Sequence, residues 1–176
     1  MKIVTKTIAS RIKLYLSKLV HEDQTGFVKG RQIRDNIRAT LDILNATDHY
    51  QIPGAIVLLD IEKAFDSLEW KYMFSVLRKF NFGETIIKWL ATFYENRESR
   101  VLNNGHMSES IYLERGVFQG CPLSPYLFLL CIEPLAASIR QNEQIRGIQV
   151  GNVYKKIGLF ADDATVFTEG DEHSLT

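Results

Sequence analysis

Cysteine is almost missing from this chain. Cys121 and Cys131 are its two examples, and they form neither a disulfide framework nor a zinc pattern. A reducing, intracellular setting is therefore expected, nucleus or cytoplasm, with both thiols acting as packing residues. Proline is scarce too, four in 176 residues, and no Gly/Ser/Pro-rich linker, repeat or low-complexity tract divides the chain. No apolar run reaches the roughly 18–20 residues that span a bilayer, so no membrane partner is expected. The first ten residues carry Lys2 and Lys6 but no apolar h-region, which excludes a secretory signal there. What remains is an ordinary globular composition, 45% apolar and 24% charged, long enough for one domain with a real core.

There is no net charge either, with 21 basic and 21 acidic residues, but the two signs are unevenly placed. Residues 1–40 hold nine Lys/Arg against Glu22, Asp23 and Asp35, a surplus of six that the remainder cancels. A basic end suits phosphate, and a carboxylate-rich centre suits a cation. Charge alone leaves a solvated face equally open. Apolar periodicity predicts helices over 3–19 and 33–49, the second with Ile33, Ile37, Leu41 and Leu44 on one face. Ala55 to Leu59 reads as a short strand buried on both faces and ending in Asp60. Helices are expected from Asp66 or Ser67 to about Phe80 and from Glu84 to about Glu98, with Trp70 and Trp89 in the core. A hairpin turning at Asn103-Asn-Gly105 follows. A helix then opens with Ser124 as cap and Pro125 at its first position, kinked at Pro134. Strands are expected over 145–150, 153–160 and 164–168. Such a mixture without regular βαβ alternation favours an α+β fold.

Asp60 ends an apolar strand, where an unpaired carboxylate is expensive. Asp162 and Asp163 sit at the tip of an apolar hairpin, Ile157-Gly-Leu-Phe160 and Ala164-Thr-Val-Phe167. Adjacent acids repel, and a hard divalent cation such as Mg2+ would compensate them. Three converging carboxylates are the minimum for two-metal phosphoryl or nucleotidyl transfer, with ions about 3.5–4 Å apart. Taken singly, Asp-Asp also reads as a solvated turn and Asp60 as a cap or turn former.

The words around these acids are more specific. Val57-Leu-Leu-Asp60-Ile-Glu-Lys-Ala-Phe65-Asp66, Gly116-Val-Phe-Gln119-Gly-Cys-Pro-Leu-Ser-Pro125 and Phe160-Ala-Asp162-Asp163 occur in that order. They resemble the A, B and C motifs of reverse transcriptases. Upstream, Gln24-Thr-Gly-Phe-Val-Lys-Gly-Arg-Gln-Ile-Arg-Asp-Asn36 is similar to the fingers motif of LINE-type and group II intron enzymes. Four ordered motifs across residues 20–170 are a strong joint signal.

The resemblance implies a right-hand polymerase without its thumb. Residues 1–53 and 70–115 would form fingers and connecting helices, and 54–69 and 116–176 a palm with a small, mostly antiparallel sheet. Asp60, Asp162 and Asp163 would be catalytic and, with the Ile61 carbonyl, would hold two Mg2+, for which Mn2+ could substitute. Phe65 matches the steric gate that excludes a ribose 2′-OH, and Gln119-Gly120 the loop against the incoming dNTP. Lys29, Arg31 and Arg34 stand where the fingers offer cations to the triphosphate. The implied partners are an RNA template, a DNA primer and dNTP, with no indication of oligomeric state. Two departures stand out: Phe118 occupies a place where LINE-type enzymes carry Arg, and the chain stops 13 residues after Asp163. The expected function is a reverse transcriptase fragment of a non-LTR (LINE-type) retrotransposon. Its alternatives are a catalytically inactive relic that binds nucleic acid at most, and a maturase-like enzyme of group II introns.

Overall fold

The computed structural model describes residues 2–170. Met1 and residues 171–176, the outer ends of the expected fingers and palm, lie outside them. The fold is α+β. In chain order the elements are α1 (Lys2–Leu19), α2 (Ile33–Tyr50), β1 (Ala55–Leu59), α3 (Ala64–Ser67), α4 (Trp70–Lys79) and α5 (Glu84–Tyr94). Short strands β2 (Glu98–Ser99), β3 (Leu102–Asn103), β4 (His106–Met107) and β5 (Ile111–Tyr112) follow. Then come α6 (Ser124–Gln141), β6 (Ile148–Val150), β7 (Val153–Lys155), β8 (Ile157–Phe160) and β9 (Asp163–Thr168).

The central sheet is antiparallel in the order β1-β9-β8. Strand alternation divides its side chains between two partners. Val57, Val166, Ala164, Ile157 and Leu159 face α6, where they meet Ala136 and Ile139. Ile56 and Phe167 face the other way, against Ile43 of α2 and Ile148 of β6. The largest core lies among the helices, where Ile12 and Leu16 of α1, Met73 and Leu77 of α4, Leu90 of α5 and Leu127 and Leu130 of α6 are buried together. A fully buried Leu, Ile or Met contributes about 1.5–3 kcal/mol, so this cluster anchors the elements around the sheet.

Several expectations are corrected. β1 is an edge strand, with Leu58 76% exposed. Its outward side lies beyond the cover of α2, whose Ile33, Ile37, Leu41 and Leu44 are likewise exposed. The single helix expected from Asp66 is broken in two because Leu68 and Glu69 leave helical geometry to pair with a neighbouring segment. The Leu68 carbonyl accepts from Gly116 N–H at 2.8 Å, and Glu69 bridges Arg115. Trp89 is half exposed, since the buried side of α5 runs through Ile87, Leu90 and Tyr94. Ser124 does not cap α6, for Leu123 holds that place and the Ser124 hydroxyl donates to the Phe118 carbonyl at 2.7 Å. The helix continues through Pro134 to Gln141. The Asn-Gly hairpin turn is present, with positive φ at Asn104 and Gly105 as a two-residue type I′ loop requires.

Candidate active site

Two strands deliver the acidic residues to one end of the sheet. β1 and β9 run in register from Ala55 opposite Thr168 to Leu59 opposite Ala164. Continuing that count by one residue sets Asp60 opposite Asp163, and directly opposed residues stand about 5 Å apart at Cβ. β8 and β9 close on each other at Phe160 and Asp163, so Ala161 and Asp162 make the two-residue turn between them. The register thus directs Asp60 and Asp162-Asp163 toward the same end of the sheet, Leu59 opposite Ala164 being the last pair of the two strands.

None of the three carboxylates has a hydrogen bond or ion pair among the described residues. Asp60 and Asp163 are exposed and Asp162 is half-buried. No trio of Asp, Glu, His or Cys side chains among the described residues is gathered tightly enough to hold an ion by itself. The donor set nevertheless fits Mg2+, which takes one or two carboxylates and completes its shell with water and phosphate oxygen. The adjacent acids Asp162 and Asp163, without a protein cation, leave their charge for such an ion to neutralise. The Ile61 carbonyl already accepts from Ala64 N–H at 3.1 Å, which leaves one lone pair free.

The Asp-Asp turn is unusually constrained. Ala161 has φ +56°, a left-handed conformation that costs a residue with Cβ about 1–2 kcal/mol. The segment after α1 holds it there. Leu159 N–H donates to the Asp23 carbonyl at 2.9 Å, and Thr25 N–H donates back to the Leu159 carbonyl at 2.8 Å, in a parallel bridge. Gln24 Oε1 accepts from Ala161 N–H at 2.9 Å, and Gln24 Nε2 donates to the Ala161 carbonyl at 3.2 Å. Asn36 of α2 donates to the Leu159 carbonyl at 2.8 Å. A Cβ on Gly26 would sit 2.4 Å from the Ala161 nitrogen, so the approach requires glycine.

Below this segment, Asp23 is buried in a charged network. Its carboxylate accepts from Lys155 Nζ at 2.7 Å and lies 3.5 Å from Arg140, which itself pairs with buried Glu133, while its N–H donates to His21 Nδ1 at 3.3 Å. The network ties the 21–26 segment to α6 and β7. Neither Gln24 nor Asp23 was singled out by sequence reasoning. The motif that begins at Gln24 was visible, but nothing in it revealed which of its side chains turn inward, and Asp23 lies just before it.

The other expected site residues occupy two places. Phe65, in α3, is half-buried and stacks on Phe128 of α6 with ring centroids 4.5 Å apart. Its carbonyl accepts from Val117 N–H at 2.8 Å, while Trp70 Nε1 donates to the Gly116 carbonyl at 2.7 Å. Gln119 and Gly120, both exposed, follow two and three residues after Val117 in the same loop. Gly120 has φ +75° and open space around it. Phe118 stacks on buried Tyr94 at 5.0 Å, and the Arg97 guanidinium lies over its ring at 5.5 Å. A cation is thus returned to the loop that Phe118 deprives of one.

Of the three cations expected to face a triphosphate, Lys29 and Arg34 are exposed, Arg34 lying 3.8 Å from Asp35. Arg31 is engaged within the fold. Its guanidinium donates to the carbonyls of His21 at 2.6 Å, Gln24 at 2.8 Å, Ser17 at 3.2 Å and Val20 at 3.4 Å, closing the C-terminal end of α1. No described helix is long and apolar enough to cross a membrane.

Comparison with known proteins agrees with this geometry. The family model described as reverse transcriptase (RNA-dependent DNA polymerase) matches residues 1–176. The chain is 33% identical over 168 residues to a Xenopus laevis transposon TX1 uncharacterized 149 kDa protein, covering 96% of this chain and 13% of that protein. It is 31% identical over 146 residues to the retrovirus-related Pol polyprotein of the type-2 retrotransposable element R2DM of Drosophila melanogaster, covering 83% and 14%. It is 29% identical over 126 residues to the RNA-directed DNA polymerase from mobile element jockey of Drosophila funebris, covering 72% and 13%. The chain therefore spans about one seventh of the length of these relatives. With its family model matched from end to end and its relatives drawn from mobile elements, the chain belongs to the reverse transcriptase family, on its LINE-type, non-LTR side.

Proposed function

We propose that this chain is the nucleotidyl-transfer part of an RNA-directed DNA polymerase that extends a DNA primer on an RNA template. The observation that carries the reading is the register of β1 on β9, paired as far as Leu59 opposite Ala164, so that its extension by one residue would set Asp60 opposite Asp163 and beside Asp162. In this reading residues 1–53 and 70–115 serve as fingers and connecting helices, and 54–69 and 116–176 as palm. The chain's own task is to position and to stabilise charge. Asp60, Asp162 and Asp163, with the Ile61 carbonyl, hold two divalent ions. Bound there, Mg2+ would neutralise charge building on the triphosphate and activate the primer 3′-OH, and Mn2+ would serve in its place.

Phe65, braced against Phe128, lies beneath the sugar of the incoming dNTP and leaves no room for a 2′-OH. Gln119 and Gly120 line the nucleotide, where a residue without Cβ allows close backbone approach. Lys29 and Arg34 remain available to the triphosphate. Arg31 serves that end of the molecule through α1, because its donors are taken by carbonyls. Primer extension on poly(rA)/oligo(dT) tests the reading. Incorporation of dTTP with Mg2+ that falls by roughly 100-fold or more in Asp162→Asn is expected. A chain that incorporates nothing, or an Asp162→Asn variant as active as its parent, would refute it.

A further inference from the structure

We propose that Gln24 is a positioning residue for the carboxylate turn, its carboxamide locking the Ala161 peptide that aims Asp162 and Asp163. The inference rests on the polymerase reading and adds to it a residue outside the acidic set. Gln24 is 1% exposed, and both ends of its amide are spent on one backbone residue. Oε1 accepts from Ala161 N–H and Nε2 donates to the Ala161 carbonyl, while Oε1 also accepts from Gly26 N–H at 2.8 Å. A side chain that bonds both the N–H and the C=O of one residue does for a turn what a neighbouring strand does for a strand.

That restraint falls where the fold supplies none. The ladder between β8 and β9 ends at Phe160 and Asp163, so Ala161 and Asp162 lie beyond its last pair. Ala161 also holds a left-handed φ that its Cβ disfavours, and a turn released from Gln24 would relax by rotating the peptide that carries Asp162. Apart from Gly26 N–H, which also bonds Gln24 Oε1, the 23–26 segment is fastened without the Gln24 carboxamide. Its main chain bonds Leu159 in both directions, and the Thr25 hydroxyl donates to the Leu159 carbonyl at 3.1 Å. Removing the carboxamide therefore frees the turn while the segment stays docked. Groups that orient ligating side chains typically change metal affinity or activity by about 10–100-fold when lost.

The test compares Gln24→Met, close in volume but unable to make any of these bonds, with Thr25→Val, which removes the hydroxyl's two hydrogen bonds, to the Leu159 carbonyl and from Asn36 Nδ2, and none to Ala161 or Asp162. Three quantities are measured on the full chain: Mn2+ affinity from the free-ion EPR signal, kcat and dNTP KM in primer extension, and stability in urea. Gln24→Met is expected to lose about 10–100-fold in kcat and about tenfold in Mn2+ affinity, with KM within about threefold. Thr25→Val is expected to keep kcat and Mn2+ affinity within about twofold at a similar loss of stability. Where Gln24→Met fails to fold, Gln24→Asn keeps a neutral amide but falls one methylene short of Ala161, and a loss in the same direction is expected. Equal effects of the two substitutions at equal stability, or an unchanged Gln24→Met, would overturn the inference alone. A parent chain that binds Mn2+ but incorporates nothing would refute the polymerase reading and leave Gln24 to be decided by affinity. A parent chain with neither property overturns both.

Discussion

Phe65 and Cys131 show how differently two core-lining side chains can behave at the level of the single residue. Phe65 keeps one face on Phe128 and remains half-buried, so truncation removes a wall without emptying the core. Phe65→Ala is expected to admit ribonucleotides, raising the rNTP-to-dNTP ratio of kcat/KM by about 10–100-fold, and an unchanged ratio would remove the gate assignment. Cys131, by contrast, is inert. Burial pushes its thiol up to about 12, so it stays protonated at neutral pH. Iodoacetamide at pH 8 is expected to label Cys121, which is partly accessible, and to spare Cys131 until the chain unfolds. Because the folded value is raised, the thiol's stabilising contribution is complete below its ordinary range and is lost as pH rises through about 12. Urea midpoints that fall between about pH 9 and 12 in the parent, and fall less in Cys131→Ala, would report that loss.

Elements are joined here by charged side chains whose roles run against their appearance in the sequence. Arg31 reads as a phosphate ligand but closes the end of α1 through four carbonyls. Charge-assisted hydrogen bonds contribute about 1.5–3 kcal/mol, so Arg31→Ala is expected to lower stability by that order, seen as a lower urea midpoint. Arg31→Lys should not restore it, because a single ammonium cannot reach carbonyls spread around the helix end. Asp23, in the sequence only one of three acids within a basic stretch, centres the network of Lys155 and Arg140. Asp23→Ala strands buried cations and is expected to cost about 3–5 kcal/mol, whereas a cost below about 1 kcal/mol would show the network to be incidental. What could be seen in the sequence was periodicity and punctuation: α1, α2, α6 and the Asn-Gly hairpin are found within a few residues of their expected bounds. What could not be seen was pairing. Nothing local to Leu68 and Glu69 says that the helix must break there so that the backbone can bond Gly116. Nothing in the alternation of β1 says that it will stand at a sheet edge.

For the whole molecule, the antiparallel sheet β1-β9-β8 carries the ends of two distant motifs toward the same end of the sheet. The acids were legible from their words, and the proposed meeting of Asp60 with Asp163 extends the register one step past Leu59 and Ala164, the last residues paired. The helical core on one side of the sheet and α2 on the other hold that register, since a slip by one residue would send Val57 and Val166 to the opposite face. Shared cation binding is the claim on which the proposed chemistry depends. A double-mutant cycle in Mn2+ affinity, using Asp60→Asn, Asp162→Asn and the pair, tests it most directly. If both carboxylates grip the same ions, each single change should lose most of the affinity, and the pair should lose little more than either alone. Losses that simply add, or single variants that bind Mn2+ as the parent does, would contradict it.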